Sequence, residues 1–176
     1  RKLRIRVYPE QDNGMAFVEI KQRVNRTVQK RRLPMTLKDA YAMCSGATHF
    51  KLSEADDQEI ADEVHFLVMA LRLRPKNVIA YTRQAYVGHM VDPGLRLTFD
   101  TLIRTRQADF DLEVPKKMHI AFPANMAVME IKANERVPHW LIGLLARHQC
   151  TLTRISKYCN GIAAIAKRNM LKRTIV

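Results

Sequence analysis

Five stretches of this chain alternate charge with apolarity, and that alternation constrains the fold more than any other feature. Arg4 and Arg6 alternate with Leu3, Ile5 and Val7, and Glu19, Lys21 and Arg23 alternate with Val18 and Ile20. Tyr81 with Arg83, then Arg96, Thr98 and Asp100 among Leu95, Leu97 and Phe99, then Glu130 and Lys132 beside Met129 and Ile131, keep the same period. Period two is that of a β-strand, whose successive side chains point to opposite faces. The polar set is guanidinium, ammonium and carboxylate rather than Ser, Thr or Gln, and the apolar set is as large. A sheet of such strands carries a cationic stripe with a few carboxylates in it. Closed on itself with that stripe inside, it makes a basic tunnel for a polyanion.

Thirty Lys and Arg oppose seventeen Asp and Glu in 176 residues, a formal charge of +13, and the pI is about 10.1. That excess points to nucleic acid, an anionic membrane or polyphosphate as partner. With 47% hydrophobic residues the length suits one domain over 1–176 with a real core, not a basic disordered tail. Cys44, Cys150 and Cys159 form no C-x-x-C pair and sit in segments that read as buried, which predicts reduced thiols, a cytoplasmic protein and no zinc site. The histidines are scattered without ligand spacing, so metal chemistry would rest on carboxylates. The longest apolar run, Phe66 to Leu71, is far short of the roughly twenty residues of a membrane span. A strand pattern is under way by Leu3 with no initiator Met before it, which suggests a piece of a longer parent, one that a membrane protein could carry.

Along the chain, Leu3–Tyr8 and Met15–Val24 flank a Pro9 to Gly14 turn ending in Asn-Gly and predict a hairpin. Thr27 to Leu33 predicts a third strand ended by Pro34, with either Lys30 and Arg32 or Arg31 facing inward. Met35 to Cys44 predicts a short helix. Ser53 before Glu54 reads as an N-cap, and Ile60, Val64, Leu67, Val68 and Leu71 follow at helical spacing, predicting a helix over 54–73. Val78–Val87 and Leu95–Arg104 predict a second hairpin across Asp92-Pro93-Gly94. Residues 105–122, with Asp109, Asp111 and Glu113 close together, read as a solvated loop in preference to the alternative of a metal site; 127–133 read as a strand; Pro138 opens a helix around Trp140, a core anchor. A short basic segment, 155–158, precedes a terminal helix over 161–171. Lys167, Arg168, Lys172 and Arg173 read as a surface patch.

Seven blocks then fall in one order: Arg4-x-Arg6-x-Tyr8, Glu19-Ile20-Lys21-x-Arg23, Lys30-Arg31-Arg32, Tyr81-x-Arg83-x-Ala85-Tyr86, Leu95-Arg96-x-Thr98-x-Asp100, Met129-Glu130-Ile131-Lys132 with Pro138-x-Trp140-Leu141, and Ser156-Lys157-Tyr158. In that order they resemble the catalytic domain of the vacuolar transporter chaperone (VTC) polyphosphate polymerases and their bacterial relatives, within the CYTH-like triphosphate tunnel metalloenzymes. The resemblance implies an α+β fold, an antiparallel β-barrel tunnel wrapped by helices, here without the first strands of the family pattern. It implies phosphate-binding Arg4, Arg6, Lys21, Lys30, Arg83, Arg96 and Lys157, with Arg23 and Lys132 on the same inner face, and catalytic roles for Arg83, Arg96 and Lys157. Glu130 would hold Mn²⁺ or Mg²⁺, helped by Glu19 or by Asp100. The partners implied are ATP, triphosphate or polyphosphate, and the reaction is transfer of the ATP γ-phosphate to a polyphosphate chain.

Physically, phosphate oxygens suit the bidentate fork of Arg and the point charge of Lys. Phosphoryl transfer also needs a metal that neutralises developing charge, and Mg²⁺ or Mn²⁺ takes one or two carboxylates plus substrate oxygens. Two other functions use similar residues: a triphosphate or nucleoside triphosphate hydrolase, and a non-catalytic RNA- or polyanion-binding module. Phe17 stands where hydrolases of the wider group carry the first Glu of E-x-E-x-K, which speaks against the hydrolase. The absence of an RNP-like aromatic pair and of a GXXG loop speaks against RNA. Read singly, Arg4 and Arg6 suit a solvated edge strand, and Glu19, Lys21 and Arg23 suit cross-strand ion pairs.

Overall fold

The computed structural model describes residues 2–8, 14–25, 27–50, 52, 54–114 and 116–174, and the side chains of 23, 24, 27 and 171–174 lie outside that description. The chain divides into two compact units, Arg1–Pro75 and Lys76–Val176. Each unit has its own antiparallel sheet.

In the first unit β1 (Lys2–Val7), β2 (Met15–Val24) and β3 (Thr27–Thr36) lie side by side in chain order. The turn expected at 9–13 falls outside the described residues; Gly14, at φ +63, leads into β2. Register places Arg4 opposite Glu19, Glu19 opposite Arg32, and Lys21 between Lys2 and Lys30. The alternate set, Ala16, Val18, Ile20, Leu33 and Met35, is buried beneath α1 (Leu37–Cys44) and α2 (Ala55–Ala70). Each large apolar side chain buried there contributes roughly 1.5–3 kcal/mol. Arg31 lies on the helix-bearing face and pairs with Glu63 of α2, so Lys30 and Arg32 share the face of Glu19.

Pro34 does not end β3. It pairs with Phe17 inside the strand, which an edge strand tolerates because an edge proline's missing N–H removes no necessary ladder bond. The helix therefore starts at Leu37, with Thr36 as N-cap accepting from Asp39 N at 3.1 Å. Glu54 occupies the cap position of α2 without a side-chain cap bond, and Ser53 lies outside the described residues. Arg72, at φ +47, stops α2 in a left-handed C-cap, with Leu73 N donating to Val68 O. Leu71 is consequently exposed rather than on the apolar stripe, and Ala61 is buried beside Val64, Leu67 and Val68.

In the second unit β5 (Arg96–Arg106) is central: β4 (Val78–Val87) pairs along one side, β6 (His119–Ile120) and β7 (Val128–Lys132) along the other. A β-bulge interrupts the β4–β5 ladder. Thr82 faces Thr101 and Ala80 faces Arg104, so β5 spends one extra residue, and Leu102 takes φ +47. The insertion keeps Arg96, Thr98 and Asp100 on the same face as Ile103 and Thr105, which strict alternation would have put opposite. Ile103, Phe122 and Val128 form a small core with Ile79, Tyr81 and Ala121. The short β6 arises inside the stretch expected to be a loop.

α3 (His139–Arg147) follows β7, and α4 (Lys157–Thr174) is one helix where a basic segment and a separate helix were expected. Gly161 does not break α4. A Cβ there would lie 2.6 Å from Ile79 Cδ1 and 2.8 Å from Thr105 Oγ1, so the glycine lets α4 seat directly on β4 and β5. Trp140 is no core anchor: it is half exposed, and its Nε1 donates to Asp92 Oδ2 at 2.9 Å, an amphipathic position suited to indole. Cys150 and Cys159 are exposed, and only Cys44 is partly buried, which pushes its thiol up to about 11. Among the described residues no helix is long and apolar enough to cross a membrane. Neither sheet closes into a barrel there; closure takes about five to eight strands, more than either sheet has.

Candidate functional site

The first candidate surface is the charged face of the β1–β3 sheet, and the register of three strands builds it. Lys2, Arg4 and Arg6 from β1, Glu19 and Lys21 from β2, and Lys30 and Arg32 from β3 have the parity of one face. Arg23 has the same parity on β2, but its side chain lies outside the described residues. Glu19 is fully buried in the middle. Its Oε2 accepts from Arg4 Nε at 2.5 Å, and its Oε1 accepts from Arg32 Nε at 2.9 Å and pairs with Lys30 Nζ at 3.0 Å. Burial raises the Glu19 carboxyl, but the hydrogen bonds from Lys30 and Arg32 and the charge of Arg4 outweigh it and hold it at about 2.

At one end of this face Tyr8 and Phe17 meet edge to face with centroids 5.8 Å apart. Arg32 stacks over Phe17 at 4.3 Å, and the Tyr8 hydroxyl accepts from Arg6 at 3.1 Å and Arg32 at 3.2 Å. Burial raises the Tyr8 hydroxyl, yet Arg6 and Arg32 bring it below its ordinary value. The cationic heads remain accessible: Arg4, Lys30 and Arg32 side chains are 45%, 42% and 36% exposed. The face thus offers many donors held by one sequestered anion. Glu19 itself, expected to help hold a metal, spends both oxygens on three cations and serves as their counter-ion.

The second candidate surface is on the second unit. Asp100, fully buried on β5, takes a bidentate fork from Arg83, Nε to Oδ1 at 2.6 Å and Nη2 to Oδ2 at 2.7 Å. Lys157, the first residue of α4, reaches the same Oδ2 at 2.7 Å. Tyr81 lies under both cations, its ring centroid 5.3 Å from Arg83 Cζ and 5.5 Å from Lys157 Nζ. Burial raises the Asp100 carboxyl, but Arg83 and Lys157 bring it below its ordinary value, and the hydrogen bond to Asp100 drives the Arg83 guanidinium up in turn. The Nη1 donors of Arg83 stay clear of this pairing.

Beside that pair, Arg83, Arg96, Thr98, Glu130 and Lys132 line one recess. Glu130 differs from the two buried carboxylates. Its side chain is 42% exposed, and its nearest cations, Lys132 Nζ at 3.5 Å and Arg83 Nη2 at 3.6 Å, are beyond ordinary hydrogen-bond length. Among the described residues no group of three or more His, Cys, Asp and Glu could hold a metal by itself. A hard divalent cation held by one accessible carboxylate and completed by substrate oxygens needs no such group, and Glu130 has the coordination capacity left for it.

Each expected site residue other than Arg23, whose side chain lies outside the described residues, thus has a place. Arg4, Arg6, Lys21 and Lys30 share the first face, and Arg83, Arg96, Glu130, Lys132 and Lys157 gather on the second. Sequence reasoning did not assign roles to Arg32, Tyr8 and Thr98, and gave Asp100 only an auxiliary one; the alternation that put Thr98 and Asp100 beside Arg96 was the available signal. None of the curated proteins compared with the chain matches it. A family model described as the VTC domain matches residues 1–166. That span takes in both charged faces, and the chain belongs to the VTC domain family, whose function is polyphosphate-related.

Proposed function

We propose that this domain is polyphosphate polymerase-like: it binds triphosphate or polyphosphate on its cationic faces and transfers the γ-phosphoryl group of ATP to a growing chain. The observation that carries the reading is the contrast at the second face, where Asp100 holds Arg83 and Lys157 in fixed positions while Glu130, in the same cluster, keeps free coordination capacity. Arg83, Arg96, Lys132 and Lys157 bind and orient phosphoryl oxygens, and a fork already fixed by Asp100 loses little freedom on doing so. On the first unit, Arg4, Arg6, Lys21, Lys30 and Arg32 form a phosphate-binding face of their own. Glu130 would hold Mn²⁺ or Mg²⁺, which when bound would neutralise the negative charge that develops on the phosphates. A closed tunnel belongs to this proposal and not to the observed sheets.

Phe17 favours this reading over hydrolysis. It occupies the charged face beneath Arg32, where a second carboxylate would otherwise be available on β2. The deciding experiment incubates the protein with ATP and Mn²⁺ and follows long polyphosphate on gels together with free phosphate. Chain growth abolished by EDTA is expected. Release of phosphate without chains identifies a hydrolase, and RNA binding with no response to triphosphate identifies a polyanion-binding module.

A further inference from the structure

The buried hydroxyl of Thr98 has no task in the account so far. Thr98 is 4% exposed, and among the described residues its Oγ1 is buried without a hydrogen-bond partner. Such a group is costly to leave unpaired, and valine would fill the same volume without that cost. Thr98 sits at mid-strand in β5, opposite Glu130 on β7 and Ala85 on β4, and it lines the recess with Arg83, Arg96, Glu130 and Lys132. The side chain of Arg96 makes no hydrogen bond or ion pair among the described residues. The enclosed room of the recess is about 10 Å³, on the order of one oxygen-sized atom, and the recess opens to solvent beyond it.

Charge decides what that atom is. Three cations and one carboxylate surround the position, so an anionic oxygen is attracted there, and a divalent cation at Glu130 enters together with the phosphate oxygens that complete its shell. An anionic oxygen also accepts from a hydroxyl, which the donor-only Arg and Lys side chains do not. Resting on the function proposed above, we infer that Thr98 is a substrate contact: its Oγ1–H donates to one terminal oxygen of a phosphoryl group whose other oxygens are held by Arg83, Arg96 and Lys132. Arg and Lys supply affinity that any polyanion can use. A buried, uncharged donor in a space of one oxygen selects for a phosphoryl oxygen delivered at a fixed depth, and so sets the register of the phosphate chain relative to Glu130.

The test measures metal-free binding of inorganic triphosphate by titration calorimetry to the whole chain carrying Thr98→Val, Thr98→Ala, Thr98→Ser or Arg96→Ala. Thr98→Val and Thr98→Ala are expected to weaken binding about tenfold, as loss of one hydrogen bond to a charged group does, while Thr98→Ser stays within about twofold. Thr98→Val should melt no lower than the unaltered protein, because it removes an unpaired polar atom. The tenfold deficit should stay constant from about 50 to about 300 mM salt, whereas Arg96→Ala should flatten the salt dependence itself. Triphosphate binding by Thr98→Val equal to that of the unaltered protein, or a deficit that Thr98→Ser fails to restore, overturns the contact while leaving the proposed function standing. Failure of the unaltered protein to bind triphosphate overturns both.

Discussion

Two carboxylates, Glu19 in the first unit and Asp100 in the second, are fully buried at the centres of cationic sheet faces, and the two faces differ in what is left over. Around Glu19, Arg4 from β1 and Lys30 and Arg32 from β3 converge from both neighbouring strands. No second carboxylate has that parity among the described residues. Around Asp100, one guanidinium and one ammonium suffice, and Glu130 stands nearby at 3.5 Å or more from its cations. A buried anion arranges cations for a polyanion; a half-exposed, unsaturated one can also take a metal. Whether a carboxylate on such a face is a counter-ion or a ligand therefore follows from its saturation, which depends on strand register more than on residue type.

The largest expected effect breaks the comparison at turnover. Glu130→Gln should lower Mn²⁺-dependent chain synthesis roughly 100- to 1000-fold while leaving metal-free triphosphate binding intact or tighter, because one negative charge has left a cationic recess. Glu19→Gln should leave the Mn²⁺ concentration for half-maximal synthesis unchanged. A shift in that concentration with Glu19→Gln and none with Glu130→Gln would reverse the roles given to the two carboxylates.

Stability should divide them the other way. Removing a charge from a buried, saturated site leaves its partners uncompensated, so Glu19→Gln and Asp100→Asn should each cost about 3 kcal/mol in urea unfolding. The part-exposed cations on each site temper that loss by staying hydrated. Glu130→Gln should change unfolding by less than about 0.5 kcal/mol. Equal losses at all three positions would mark Glu130 as a structural ion-pair partner.

Much of this arrangement was legible in the sequence because period two is strict: which of Arg96, Thr98, Asp100, Glu130 and Lys132 share a face follows from parity once the strands are recognised. The saturation of Glu19 was not legible, because it turns on whether Arg31 or Arg32 faces it, a shift of one residue that local sequence leaves open. Pro34 within β3 and the partial exposure of Trp140 depend on which strand lies at an edge and on where Asp92 falls, both tertiary facts. The sequence starts the terminal helix at Gly161, whereas α4 begins at Lys157, and the 2.6 Å approach of Ile79 to the missing Cβ accounts for a glycine inside it. The bulge at Leu102 had no signal at all, since neither Gly nor Asn marks its left-handed residue.

Acid titration sharpens the same comparison. The Glu19 carboxyl is held at about 2 against an ordinary 4.5, so as pH falls the unfolded chain binds this proton before the folded one does. Its contribution, on the order of 3 kcal/mol, is present above about pH 4.5 and is lost on descent to about 2. Asp100 moves in the same direction. Urea midpoints measured across that window should fall for the unaltered protein and fall less for Glu19→Gln. An unchanged slope in the variant would mean that Glu19 is not the group whose protonation destabilises the fold.

The smallest effect lies at the bulge of the second unit, which among the described residues has no counterpart in the first unit's sheet. Leu102 adopts φ +47, a region that costs a non-glycine residue about 1–2 kcal/mol, and its side chain is 54% exposed, so it returns little packing. Leu102→Gly removes the strain and adds unfolded-state entropy worth about 0.5–1 kcal/mol; the net change should be neutral or stabilising by less than about 1 kcal/mol. Leu102→Val should destabilise by about as much, because a β-branched side chain fits this backbone least well. The matching change in the unbulged sheet, Leu33→Gly at a fully buried position, should cost at least about 3 kcal/mol. Triphosphate binding should survive Leu102→Gly, since the extra residue that keeps Asp100 and Ile103 on one face is still there. If Leu102→Gly costs as much as Leu33→Gly in thermal melts, Leu102 is held by packing, and the alignment of Asp100 with Arg83 owes nothing to a strained bulge.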